Sequence, residues 1–239
     1  MQPSPRSEPP AGVVDLWLRH VRPEEPAGEQ LLTPDERERS SRLVNHQARA
    51  LFVIGRSLLR AALASYLGCA PQSLRLDQRC ARCGEQHGKP RLVAPVSELA
   101  FNLSHTQGLV ALAVCRHRDV GIDVEWRGRA DTMPELVHLL LSAVEREALD
   151  EVPEARRPAV LLECWVRKEA LLKATGEGLS LDLRKVTLPA ARNRPAVYRR
   201  GDAWWGVRGL DVGPDHVGAV AMRGHVPRLR RRSLAPSPI

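Results

Sequence analysis

The chain has 239 residues, 43% apolar and 27% charged, which excludes collagen-like, long coiled-coil and wholly disordered polymers and allows one large domain or two small ones. The net charge is +8, but Arg223, Arg228, Arg230, Arg231 and Arg232 lie in one acid-free stretch, and the remainder carries only +3. With 4% aromatic residues there is little to stack on single-stranded nucleic acid. The charge therefore reads as a solvated basic tail or as steering for phosphate ligands, and no nucleic-acid partner is expected. The longest apolar run, Leu109 to Cys115, is too short to cross a bilayer, and no apolar leader core opens the chain. Five cysteines, an odd and sparse set, suit a reducing compartment, so a cytoplasmic protein without a membrane partner is expected.

Residues 1–10 hold four prolines and, like the basic, proline-containing segment 225–239, are expected to be disordered. Thr33-Pro34-Asp35-Glu36 predicts a helix start, with Thr33 as N-cap and Glu36 closing a capping box. Leu51, Ile54, Leu58, Leu59, Ala62 and Leu63 predict a helix over 47–67 that stops at Gly68. Strand-like pieces follow at 99–103, 109–115 and 120–126. Pro134 opens a short helix, Ser142 and Glu145 form a second capping box, and a long helix runs over 156–175 to Gly176. Strands are expected at 183–188, 195–200, 203–210 and 216–222. The order predicts an α+β protein of two similar halves, 11–118 and 119–224, although no sequence repeat is evident.

Four clusters could carry chemistry. In Gly121-Ile-Asp123-Val-Glu125, strand alternation places both carboxylates on one face about 6.6 Å apart, with Ile122 and Val124 directed into the core. The pair is either a polar strand edge or hard-oxygen ligation for an ion such as Mg²⁺. In the long helix, Trp165, Glu169 and Lys173 share a face through i,i+4 steps. Glu169 and Lys173 are either a plain helix ion pair or a third ligand and a phosphate partner, with Lys168 reaching in from the flank. Asn102, Ser104 and His105 close a strand whose Phe101 and Leu103 point inward, which leaves Asn102 and Ser104 on the polar side as phosphate donors or surface residues. Cys80, Cys83 and His87 supply three zinc-type ligands without a nearby fourth, so a tight loop presenting Lys89 between Gly88 and Pro90 is preferred.

Together these segments resemble the 4′-phosphopantetheinyl transferases, in particular the larger Sfp type. They stand in that family's order as Gly88-Lys89-Pro90, Asn102-Leu-Ser104-His105, Gly121-Ile-Asp123-Val-Glu125 and Trp165 through Leu179, and the resemblance spans about residues 30–222. It implies two similar α+β halves with a pseudo-twofold relation, in a monomer. It also implies Mg²⁺-dependent transfer of phosphopantetheine from coenzyme A to a serine of an acyl or peptidyl carrier protein, releasing adenosine 3′,5′-bisphosphate. By position, Asp123, Glu125 and Glu169 correspond to the metal cluster, Glu169 to the general base and Lys173 to the group that neutralises the leaving phosphate. Ser104 and His105 correspond to phosphate and nucleotide contacts, Gly88, Lys89 and Pro90 to the coenzyme A loop, and Arg42 and Arg56 to the 3′-phosphate pocket. A Mg²⁺-dependent phosphohydrolase and a non-catalytic coenzyme A or carrier-binding module are the competing readings.

Overall fold

The computed structural model describes residues 6–21, 28–79, 83–85, 88–176, 181–188 and 194–234. The chain is a mixed α+β protein that divides into two compact units, one of residues 1–117 and 229–239 and one of residues 118–228.

In the first unit, strands β1 (Val13–His20), β4 (Leu99–Thr106), β5 (Leu109–Arg116) and β10 (Arg228–Arg232) form a sheet in the order β10-β1-β5-β4, with β5 antiparallel to both neighbours. A separate hairpin-like pair joins β2 (Arg75–Asp77) to β3 (Arg91–Ala94). Helix α1 (Pro34–Ser41) starts at the expected capping box, Thr33 and Glu36 each bonding the other's backbone. Helix α2 (His46–Leu67) is capped by the Asn45 side chain and ends at Gly68, whose φ of 62° suits a residue without Cβ. Although α2 is long and apolar enough to cross a membrane, most of it is buried here. Its Leu58, Leu59, Leu63 and Tyr66 pack in one core with Trp17, Phe101, Leu112 and Val114.

In the second unit, strands β6 (Val120–Trp126), β7 (Ala196–Arg200), β8 (Ala203–Leu210) and β9 (His216–Arg223) form an antiparallel sheet in the order β6-β9-β8-β7. A 3₁₀ segment, Arg127–Leu136, contains Pro134 and leads into α3 (Val137–Leu140). Helix α4 (Ala143–Asp150) opens on the Ser142–Glu145 capping box, and α5 (Arg157–Thr175) ends at Gly176. Leu161, Val166, Ala170 and Ala174 of α5 pack with Val207, Val217, Ala219 and Ala221 of the sheet. The strand expected over 183–188 is instead a 3₁₀ turn at Leu183–Lys185, where Asp182 caps the Arg184 amide and favours a turn over extension.

The expected disorder at both ends requires correction. Segment 228–232 is strand β10, and residues 6–10 pack nearby: Arg6 donates its amide to Ser65 O at 2.7 Å and its guanidinium lies 5.2 Å from the Trp17 ring centroid. The cause is Asp15 on β1, which is 0% exposed. Arg230 donates to both its oxygens at 2.5 and 2.8 Å, Arg232 donates at 3.0 Å, and Tyr66 Oη donates at 2.6 Å. Arg230 and Arg232 also reach the Glu8 and Ser7 carbonyls at 3.4 and 3.1 Å. A buried carboxylate without this cover would carry a large desolvation cost. Residues 1–5 and 235–239 lie outside the described residues.

Burial alone would raise the Asp15 pKa, but hydrogen bonds from Arg230, Tyr66 and Arg232 outweigh it and hold the carboxyl below its ordinary range. Its contribution to stability is therefore present above the unfolded-state aspartate pKa and lost as pH falls through the depressed folded value. Asp15→Asn should cost about 2–3 kcal/mol at neutral pH in urea unfolding. The gap between variant and wild type should close in acid, and a gap constant with pH would refute the ionic account.

Candidate active site

The second unit places α5 directly on β6. At Gly121 an added Cβ would lie 2.1 Å from Ala170 O and 2.4 Å from Ala174 N, so only glycine admits the helix at this depth. Two residues along the strand on the same face stands Asp123, and Lys173 Nζ of α5 donates to its Oδ1 at 2.6 Å. Glu125 follows at the less buried end of the strand and pairs with Arg129, which enters from the 3₁₀ segment. The Arg129 guanidinium also lies 5.1 Å from the Trp165 ring centroid.

The expectation that Ile122 and Val124 face the core while Asp123 and Glu125 face away is half corrected. Both faces of β6 are buried, and Val217 and Ala219, the β9 partners of Glu125 and Asp123, belong to the core under α5. The carboxylates thus project beside the helix rather than into open solvent.

Glu169, four residues from both Trp165 and Lys173, sits half-buried near this pair. Its pKa is raised, first by burial, then by the Asp123 carboxylate, with Glu125 adding to the effect and Lys173 and Arg129 opposing it. Glu169 therefore feels both strand carboxylates, and two cations partly oppose them. Three hard-oxygen donors with mutual repulsion fit a divalent cation. Among the described residues they are not drawn together as a ligand set; Asp123 and Glu125 are turned to Lys173 and Arg129.

Lys168 departs from its expected role. Its side chain is 0% exposed, and Nζ donates to Leu140 O at 2.7 Å, Leu183 O at 2.9 Å and the Glu145 carboxylate. All three protons are committed, so the expected reach to coenzyme A is corrected: this lysine ties α5 to α3, α4 and the 183–185 turn. Glu145 completes the knot by accepting from Leu188 N at 2.8 Å, in addition to its capping box.

In the first unit, Asn102 and Ser104 are both buried, against the expected polar-side placement. They lie opposite Ala113 and Ala111 of β5, whose small side chains belong to a second covered face of the sheet. His105 is exposed on the opposite side of the strand, while Phe101 joins the core as expected. Gly88 bonds its amide to Gln78 O at 2.6 Å, and a Cβ there would lie 2.7 Å from Arg79 O, so the loop before Lys89 and Pro90 also needs glycine. Arg42 is exposed at the end of α1 and pairs with Glu38. Arg56 is 7% exposed, 3.9 Å from Glu36 and 5.6 Å from the Phe52 ring centroid, which commits its guanidinium to α1–α2 packing beside the Arg60–Glu36 pair. Cys80 and His87 lie outside the described residues, and Cys83 is exposed. Gly178 and Leu179, the last residues of the α5 motif, also lie outside them.

Arg129 escaped the sequence reading. Its i,i+4 spacing from Glu125 spans a strand end and a 3₁₀ turn, where helical pairing rules do not apply.

The second unit thus sets a helix-borne carboxylate and lysine against a strand-borne Asp-x-Glu. A family model for the 4′-phosphopantetheinyl transferase superfamily matches residues 119–219, the unit that carries them. Over 197 residues the chain is 34% identical to the 4′-phosphopantetheinyl transferase HetI of Nostoc sp., covering 81% of this chain and 79% of that protein. It is 27% identical to the human L-aminoadipate-semialdehyde dehydrogenase-phosphopantetheinyl transferase, covering 71% and 54% of the two chains, and 26% identical to a 4′-phosphopantetheinyl transferase of Bacillus subtilis, covering 64% and 63%. The chain belongs to the 4′-phosphopantetheinyl transferase superfamily.

Two outcomes follow from this geometry. Gly121→Ala should lift α5 from β6, cost about 3 kcal/mol or more in urea unfolding, and loosen the Lys173–Asp123 pair; unchanged stability would contradict the close approach. Because the Glu169 pKa is raised, the folded state favours its protonated form and its charge opposes folding at neutral pH. Glu169→Gln should therefore raise the melting temperature by a few degrees at pH 7.5, with no gain in acid where wild-type Glu169 is already protonated.

Proposed function

We propose that this protein transfers the 4′-phosphopantetheine group of coenzyme A to a serine of an acyl or peptidyl carrier protein, in a Mg²⁺-dependent reaction that releases adenosine 3′,5′-bisphosphate. The observation that carries this reading is the Asp123–Lys173 contact beside Glu125 and Glu169, placed by α5 within the unit that matches the family.

In the proposed reaction the serine oxygen bonds to the phosphorus on the pantetheine side, and the anhydride P–O bond breaks with its electron pair leaving on the nucleotide. Glu169 is assigned to receive the serine proton, since it stands half-buried beside Asp123 and Glu125 on the helix that also carries Lys173. Lys173 exchanges its Asp123 partner for the leaving phosphate, whose charge it neutralises. Asp123, Glu125 and Glu169 would hold Mg²⁺, which when bound supplies Lewis-acid charge at the pyrophosphate. Gly88, Lys89, Pro90, Ser104 and His105 are assigned to coenzyme A, and exposed Arg42 to its 3′-phosphate. Asn102, buried two residues before Ser104 on the same face, is assigned to holding that strand end. The two units are proposed to be similar halves, since each lays one long helix on a four-stranded sheet.

An apo carrier protein incubated with the enzyme, coenzyme A and Mg²⁺ should gain about 340 Da by intact-mass spectrometry, and the gain should vanish in excess EDTA or with Asp123→Ala. Coenzyme A cleavage without carrier modification would favour a phosphohydrolase. Lys173→Ala should lower kcat more than it raises the KM for coenzyme A; the reverse would remove its leaving-group role.

A further inference from the structure

We propose that Arg129 is a counter-ion gate on the carboxylate cluster: it holds Glu125 until a divalent cation takes its place, then retires onto the face of Trp165. This rests on the metal reading above.

The three carboxylates Asp123, Glu125 and Glu169 face two cations, Lys173 on Asp123 and Arg129 on Glu125. A divalent cation entering while both side chains stay would meet two cationic groups already holding carboxylate oxygens it needs. One must withdraw. Before coenzyme A binds, Lys173 stays with buried Asp123, its side chain 30% exposed. Arg129 is 38% exposed and already touches a second partner, the indole of Trp165 at 5.1 Å from the ring centroid. A guanidinium over an indole face keeps a favourable electrostatic contact after its carboxylate is taken.

The backbone is arranged so that only the side chain need move. Gly128 lies so close to the Trp126 ring that a Cβ there would be 2.1 Å from it, which turns the chain over that ring just before Arg129. Thr132 Oγ1 then donates to Arg129 O at 2.9 Å and fixes the turn. Trp165 is four residues before Glu169 on α5, so the resting place of the guanidinium lies on the helix face that bears the third carboxylate.

The test is Mn²⁺ binding by the full chain, read from the electron paramagnetic resonance of the free ion without coenzyme A or carrier. Arg129→Gln should bind Mn²⁺ about tenfold more tightly than wild type, because an opposing unit charge beside the ion is gone. Arg129→Lys, which restores the charge, should return affinity to near the wild-type value. Mg²⁺ should shift wild-type tryptophan emission, and that shift should be lost in Trp165→Phe. Equal or weaker Mn²⁺ binding by Arg129→Gln would overturn the gate while leaving the metal site standing. If neither protein binds Mn²⁺ and carrier modification persists in EDTA, the metal assignment and the gate both fall, and the transferase reading survives.

Discussion

Helix α5 rests on strand β6 at a distance that leaves no room for a side chain at position 121, and the candidate chemistry is a consequence of that contact. A helix held so close brings Lys173 onto Asp123 and sets Glu169 near two further carboxylates, an arrangement that charge alone would disperse. Packing of Leu161, Val166, Ala170 and Ala174 against the sheet opposes that repulsion. The helix therefore has two faces with opposite tasks. One is apolar and fixes depth; the other carries charge at i,i+4 intervals, where a turn of the helix matches the spacing of the strand's alternate residues.

Two other charged clusters tie separate segments of the fold together. Lys168 satisfies three acceptors from three separate segments, and its Glu145 partner is bonded in turn by Ser142 and Leu188 amides. Such a pair adds little net stability relative to apolar packing, but it admits few alternative arrangements. The same holds for Asp15 with Arg230, Arg232 and Tyr66 in the first unit. Neighbouring lysines on α5 thus divide between scaffold and site: Lys168 is sealed, whereas Lys173 remains partly exposed beside a carboxylate.

Much of this was legible in the sequence where the signal is local. Thr33 with Glu36 and Ser142 with Glu145 announce helix starts, Gly68 and Gly176 announce ends, and the strands expected at 203–210 and 216–222 follow from composition and turns. What escaped depends on distant partners. Strand β1 contains a charged residue at its buried centre, and Asp15 makes sense only with arginines more than two hundred residues away. Strand β10 has almost no apolar content and is held through those same side chains. Lys168 looked available because helical spacing gives direction but not what covers it, and two of its acceptors are carbonyls of other segments. Glycine at position 121 was visible as a letter of a motif, while its reason, the carbonyl of Ala170, lies on another element.

The return of residues 228–232 to the edge of β1 has a consequence for the order of assembly. The second unit is one continuous segment and has all its strands once residue 223 has been synthesised. The first unit, though begun earlier, lacks the strand beside β1 until about residue 232 has left the ribosome, and until then Asp15 has neither arginine. During that interval β1 is an open edge with a poorly neutralised buried carboxylate, the kind of site at which nascent chains pair wrongly. The usual N-to-C sequence of domain completion is thereby inverted, and the unit made first is the last to close.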